Sequence, residues 1–432
     1  MSRGGSVTSQ AIRGVAVLCL AAGLLSARTA GAVTGFPLKI NNYSGRTLLI
    51  VNEEDNNLVA LPILNDGTVD GSKGVALANN NGSATIDSDP DGLAVTPDGK
   101  FAYVHAEFEN DFYRFDLMHI DFHNDTHVSK FTFNDAAWRH DGLAVLNGFL
   151  YATGLDPGCD LCTTACTASL YKMAINPATG DLSAPTVVVA IDDGSGHVAT
   201  GVNSGLATDG TCIYASDVGA QFFCPPDGEP TFSPGTSAIF QICGTTVKVW
   251  ADTTTGGDHP GLIEDHTITF GPNAQNLFLS ENNHVYSTTG LSGMTPGSFT
   301  KVGDLPGAGV ENEGSAFLTL NNLQVLYVGN ETEEEAYATY VKGSGSSIGL
   351  GLTTAFNGEA LPDTGDTGDP VDFDEAEGLA TIETTPRFSD GTALFANTGT
   401  NAPLVSSSGL IGCVALLMVA GLASLRRLRA PR

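Results

Sequence analysis

The chain has 432 residues, 42% of them hydrophobic, with 52 glycines and a formal net charge of −29. That length holds one large all-β domain or two to three smaller ones. The acidity excludes nucleic acid and anionic lipid as partners of the folded part, because a strongly negative surface repels both.

The two ends read differently from the rest. Arg3 and Arg13 precede the apolar run Gly14–Leu25, and Ala30, Gly31 and Ala32 supply small residues for cleavage. Residues 1–32 are therefore expected to be a secretory signal peptide. Near the other end, residues 409–425 are uncharged, and "RRLRAPR" (426–432) follows. This pattern predicts a single membrane-spanning or sorting helix with a basic cytoplasmic tail. A linker, 401–408, would join it to a folded domain over 33–400. The ends hold seven of the 19 Lys and Arg, leaving 12 basic against 48 acidic residues between them, a net of −36. Two of the eight cysteines, Cys19 and Cys413, lie in the apolar runs. The other six, Cys159, Cys162, Cys166, Cys212, Cys224 and Cys243, read as disulfide partners in an exported chain.

Between the ends a unit recurs. In chain order it begins at Asp91 ("DGLAVTPDGKFAYVHAE"), Asp141 ("DGLAVLNGFLYATG"), Ser204 ("SGLATDGTCIYASD"), His266 ("HTITFGPNAQNLFLSEN"), Glu313 ("EGSAFLTLNNLQVLYVGNE") and Glu377 ("EGLATIETTPRFSDGTALFANT"). Each copy is a short apolar strand, a Gly- or Asn-containing turn, and a second strand rich in aromatic and aliphatic residues. Third strands follow at Phe112, Leu170, Ala238 and Ala336, and "RTLLIVNEEDNNLVALPI" from Arg46 supplies a second and a third strand. Units of about 50 to 63 residues with three or four antiparallel strands predict the blades of an all-β propeller. Joining the chain ends would close the ring. Gly and Ala in each first strand would permit close approach near the axis, while Leu packs between blades. Cys212 starts a second strand and Cys243 ends the third beside it, so these two are expected to be opposite and bonded.

The copies resemble the seven-bladed propellers of the YVTN and lactonase-like group, whose blades carry "GLAVTPDGK.AYV"-like motifs. That resemblance spans Arg46 to Thr398; seven second strands, from "RTLLIV" to "TALFANT", against six clear first strands favour seven blades, with six as the alternative. The C-terminal tail resembles the PEP-CTERM and IPTL-CTERM sorting signals of Gram-negative exported proteins, although "APLVSSSG" stands where their Pro-Glu-Pro motif would be. The "EG" strand starts also look like those of phytase-like esterase propellers.

The residues that open the first strands are all polar. In a propeller Asp91, Asp141, Ser204, Glu313 and Glu377, with Asp265 beside His266, would converge at one mouth of the channel. Hard oxygen donors in that pattern suit Ca²⁺, and clustered carboxylates need a cation or a proton to coexist. With such an ion, His266 or His140 would serve as general base. Two further clusters are weaker. "HIDFHNDTH" (119–127) spaces three histidines for Zn²⁺ or Cu²⁺, and Asp363, Asp366, Asp369, Asp372 and Asp374 crowd one acidic loop.

Two functions follow as expectations. The first is an exported binding or scaffold module, anchored to the membrane or cell surface of a Gram-negative bacterium, that holds a protein, glycan or cation. The second is a Ca²⁺-dependent hydrolase of lactones or esters. No P-loop or HExxH motif supports any other chemistry.

Overall fold

The structure is a computed structural model. It describes most of residues 43–395; segments outside the description include 78–85, 135–141, 156–166, 200–204, 253–265, 289–298, 307–311 and 357–375, together with both chain ends. The expected signal peptide and C-terminal helix, the acidic loop and the "CDLCTTAC" loop lie outside the described residues. Among those described, no helix is long and apolar enough to cross a membrane.

Among the described residues there are six four-stranded antiparallel sheets and one two-stranded hairpin. From the axis outward, blade I is Ala376–Ile382, Tyr43–Asn52, Asn57–Leu64 and Val75–Ala76. Blade II is Pro90–Val95, Phe101–Ala106, Asp111–Asp116 and Val128–Thr132. Blade III is Leu143–Leu146, Phe149–Gly154, Ser169–Ala174 and Thr186–Ala190. Blade IV is Gly205–Thr208, Ile213–Asp217, Ala238–Cys243 and Thr246–Asp252, with a hairpin, Ala220–Phe223 and Pro230–Ser233, inserted after its second strand. Blade V is His266–Phe270, Leu277–Glu281, His284–Thr288 and Phe299–Asp304. Blade VI is Ser315–Leu320, Leu323–Asn330, Glu335–Lys342 and Gly349–Phe356.

The propeller expectation holds, and the blade number is corrected from seven to six. The seventh blade came from reading "TALFANT" as a second strand for the last copy. Instead Ala376–Ile382 pairs directly with Tyr43–Asn52, from Thr47 opposite Ile382 to Asn52 opposite Ala376. One strand has one partner on that side, so the last first strand and the first second strand make a single blade. The residues after Ile382 turn back along blade II, where the amide of Ile120 donates to the carbonyl of Arg387. First strands touch their neighbours in cyclic order, blade VI against blade I included.

The core lies between blades. Along the second strand of blade I, Leu48 and Ile50 join a cluster with Tyr327 and Ala338 of blade VI. Leu49 and Val51 face the other way, into a cluster with Ala102 and Val104 of blade II. Alternate side chains of a strand point to opposite faces, so a central strand here buries both. Turns follow local chemistry: Asn147 and Gly148 both have positive φ, 53° and 78°, as the tight hairpin between Leu146 and Phe149 requires. The expected disulfide Cys212–Cys243 is present, with Cα atoms 4.6 Å apart, at the end of the Ile213 to Ile242 ladder.

Candidate functional site: the central channel and its mouth

The first strands wall a central cavity of about 480 Å³. Its lining consists of Gly, Ala, Leu, Val, Ile and Phe, with the hydroxyls of Thr208, Thr267, Thr269, Ser315 and Thr381. Among the described residues, none of the lining side chains carries a charge. Close backbone approach shapes this wall. A Cβ on Gly378 would sit 2.4 Å from the Asp91 carbonyl oxygen, and one on Gly142 would sit 2.5 Å from the amide nitrogen of Leu206.

Two of the expected carboxylates, Asp91 and Glu377, are described, each near the start of a first strand. Asp91 is 8% exposed and Glu377 2% exposed, and the tight Gly378–Asp91 contact makes their strands neighbours. His266 opens its strand with its backbone opposite Glu281; its side chain lies outside the described residues. Asp141, Ser204, Asp265, Glu313 and His140 also lie outside the described residues. Among the described residues no three of His, Cys, Asp and Glu come close enough to hold one metal ion. Asp91 and Glu377 thus offer hard oxygen donors at the mouth without completing a cation site by themselves.

A second polar layer lies just outside the first. The second strands return to the same face and end in buried polar side chains: Asn52, His105, Asp217, Glu281 and Asn330. Asp217, Glu281, Asn330 and His105 are readable from sequence, because each closes an apolar run. Asn52, Thr153 and Ser280, in "LLIVN", "YAT" and "LFLS", are buried polar side chains of the same second strands. At the start of a third strand, Asp111 pairs with Lys130 at 2.6 Å.

The three-histidine segment is explained without a metal. His127 is buried, with Nε2 donating to the Leu77 carbonyl at 2.7 Å and Nδ1 within 3.1 Å of the Asp121 carbonyl. His119 pairs with Asp116 at 2.9 Å, and His123 lies outside the described residues. Elsewhere, Ser195 and His197 Nδ1 both bond the same oxygen of Asp193, at 2.6 and 3.0 Å. Ser195 Oγ also lies 3.5 Å from His197 Nδ1, but a relay needs the serine on one ring nitrogen and the carboxylate on the other, and here both meet Nδ1. This arrangement is a turn.

No family model matches the chain, and no curated protein matches it. Solved structures do resemble it. A nidogen/laminin complex aligns with 13% identity over 79% of this chain and 99% of that one, at a TM-score of 0.47. A putative 6-phosphogluconolactonase from Bacteroides fragilis aligns with 16% identity over 79% and 98%, at 0.45. The periplasmic gluconolactonase of Pseudomonas aeruginosa aligns with 12% identity over 72% and 82%, at 0.40. Likenesses this distant leave the chemistry to be argued from the residues themselves.

Proposed function

We propose that this protein is an exported, membrane-tethered binding module that receives its ligand at the channel mouth. The observation that carries the reading is the cavity: about 480 Å³ walled only by uncharged side chains. Such a wall can desolvate and orient a neutral ligand, such as a sugar ring, through its threonine and serine hydroxyls and its aliphatic faces. Export is supported by the apolar runs at residues 14–25 and 409–425 and by the disulfide, which suits an oxidising compartment.

A second reading, a Ca²⁺-dependent hydrolase, is favoured by Asp91 and Glu377 standing buried at one mouth. A bound cation would offset their mutual repulsion and polarise a carbonyl. One experiment separates the two. The full-length chain, its Val145→Trp variant and its Asp91→Asn, Glu377→Gln variant are screened on a neutral glycan array and against lactone and ester substrates, with and without Ca²⁺. A binding module retains a glycan that Val145→Trp loses, and turns over nothing. Ca²⁺-dependent turnover lost by the carboxylate variant would replace the binding reading with the hydrolase. A chain that neither binds nor turns over any probe would sink both.

A further inference from the structure

Sheet edges expose unpaired backbone groups, and proteins guard them with short strands, charges or cover. The outer strands of this propeller show which blades are guarded. Blade I ends in a strand of only two residues, Val75–Ala76. In blades II, IV and V the third residue of the outer strand is a lysine, Lys130, Lys248 and Lys301; Lys130 is also tied to Asp111 and Lys301 to Asp304. In blade VI the corresponding residue is Gly351, and Lys342 from the adjoining strand lies across it: a Cβ there would meet the lysine Cε at 2.9 Å. Leu350 of the same strand packs over Gly303 of blade V.

Blade III breaks the pattern. Its outer strand, Thr186–Ala190, reads "TVVVA", with Val188 where the lysine stands elsewhere. The lysine on the adjoining strand, Lys172, points inward, with Nζ 4.9 Å from the centre of the Phe149 ring. Val187 is 59% exposed, the most exposed large apolar side chain among the described residues; Leu352, on the guarded edge of blade VI, is 45% exposed. Among the described residues no strand pairs with the outer side of Thr186–Ala190.

Charge decides what fits there. Asp192 and Asp193 follow the strand, in a domain whose net charge is −36; Asp181, before it, is paired with Arg114. Hydrogen bonds from Ser195 and His197 hold the Asp193 carboxyl down at about 2 despite the opposing effect of burial, so it is ionised at any ordinary pH. A second copy of this chain would bring the same charge and be repelled. A strand with basic flanks would be drawn in, its backbone completing the ladder and its β-branched side chains meeting Val187.

We propose that Thr186–Ala190 is a docking edge that takes an extended, β-branched segment of a basic partner protein as a fifth strand of blade III. This surface is separate from the channel and does not depend on what the channel binds.

The test uses a labelled synthetic peptide of alternating threonine and valine with lysine pairs at both ends, titrated into the full-length chain by fluorescence anisotropy. Its control has glutamate pairs instead. Two guard variants are compared: Val188→Lys, which restores the lysine position, and Val187→Lys, at an exposed site where folding is not at stake. The expected result is binding of the Lys-flanked peptide over the Glu-flanked one, weakened about tenfold or more by either variant, a change of ~1.4 kcal/mol. Equal binding by wild type and both variants would mean attraction to the acidic surface alone and overturn the proposal. So would no binding at all, or concentration-dependent self-association that the guard variants abolish, because the edge would then serve a second copy.

Discussion

At the scale of single residues, the Gly-Leu pair of each first strand is an interlock between neighbouring blades. The glycine of one blade receives the leucine of the next. A Cβ on Gly378 would strike Leu93, one on Gly314 would strike Leu379, and one on Gly205 would press on Ile268. Blade V departs from this in a compensated way. Thr267 stands where glycine stands elsewhere, and the facing position in blade VI is Ser315 instead of leucine. Their hydroxyls hydrogen-bond at 2.9 Å. Volume added on one side is removed on the other, and the polar groups satisfy each other. The pair should therefore behave as a unit. Ser315→Leu alone is expected to cost about 1–3 kcal/mol through overpacking against Thr267. Adding Thr267→Gly, which rebuilds the consensus interlock, should recover most of that loss. Urea melts of both singles and the double give the coupling energy, expected at about 1–2 kcal/mol. Strict additivity would show that the two sites do not interlock.

At the scale of elements, strand existence was legible because turn chemistry punctuates the chain. "NG" before Phe149 marks a hairpin whose φ values the structure confirms. Burial was harder to read. Runs such as "TLLIV" and "VLYV" do not alternate, because both faces of a central strand are covered by neighbouring blades. The clasps between blades were also invisible, since they join residues far apart in sequence. Tyr103 donates to the Gly180 carbonyl and Tyr327 to the Gly67 carbonyl, each at 2.8 Å, tying a second strand to the outer hairpin of the next blade. Arg114 reinforces the first clasp through Asp181 at 2.9 Å. The turn after the outer strand of blade III carries a pH dependence. Burial raises the Asp193 pKa, but hydrogen bonds from Ser195 and His197 outweigh it and bring the value from 3.8 to about 2. A depressed carboxyl stabilises the fold above its unfolded pKa, and that stability is lost as pH falls through the folded value. Asp193→Asn should accordingly lower the melting temperature at about pH 6, with a cost of about 1 kcal/mol. The difference from wild type should vanish as the pH approaches 2. A gap that persists unchanged into acid would mean that the carboxylate charge contributes nothing to the turn.

At the scale of the whole molecule, ring closure is where the sequence misled and where the structure is most exposed to test. Reading copies along the chain counted both "RTLLIV" and "TALFANT" as second strands; only the pairing of the two chain ends shows that one blade uses the first of them. The mouth was half legible: a polar residue at each strand start can be read off the copies, but how those residues meet depends on connecting loops that vary in length between blades. Closure itself has a measurable consequence. Ala376–Ile382 supplies the inner strand of blade I, and its Leu379 joins the core shared by blades I and VI. Removing it leaves the edge of Tyr43–Asn52 unpaired toward the axis and opens Leu48 and Ile50, both fully buried in the closed ring, toward solvent. Each fully buried aliphatic side chain contributes roughly 1.5–3 kcal/mol, and the lost backbone bonds add to that. The sum rivals the whole stability of a typical domain, about 5–15 kcal/mol. A chain ending at residue 375 is expected to lose its cooperative thermal transition. A separate peptide spanning residues 376–395, which also carries the turn that bonds Ile120 of blade II, should restore the transition when added in excess. If the truncated chain melts as cooperatively as the full one, neighbour-to-neighbour packing of the remaining blades is sufficient, and the paired chain ends are not what holds the propeller shut.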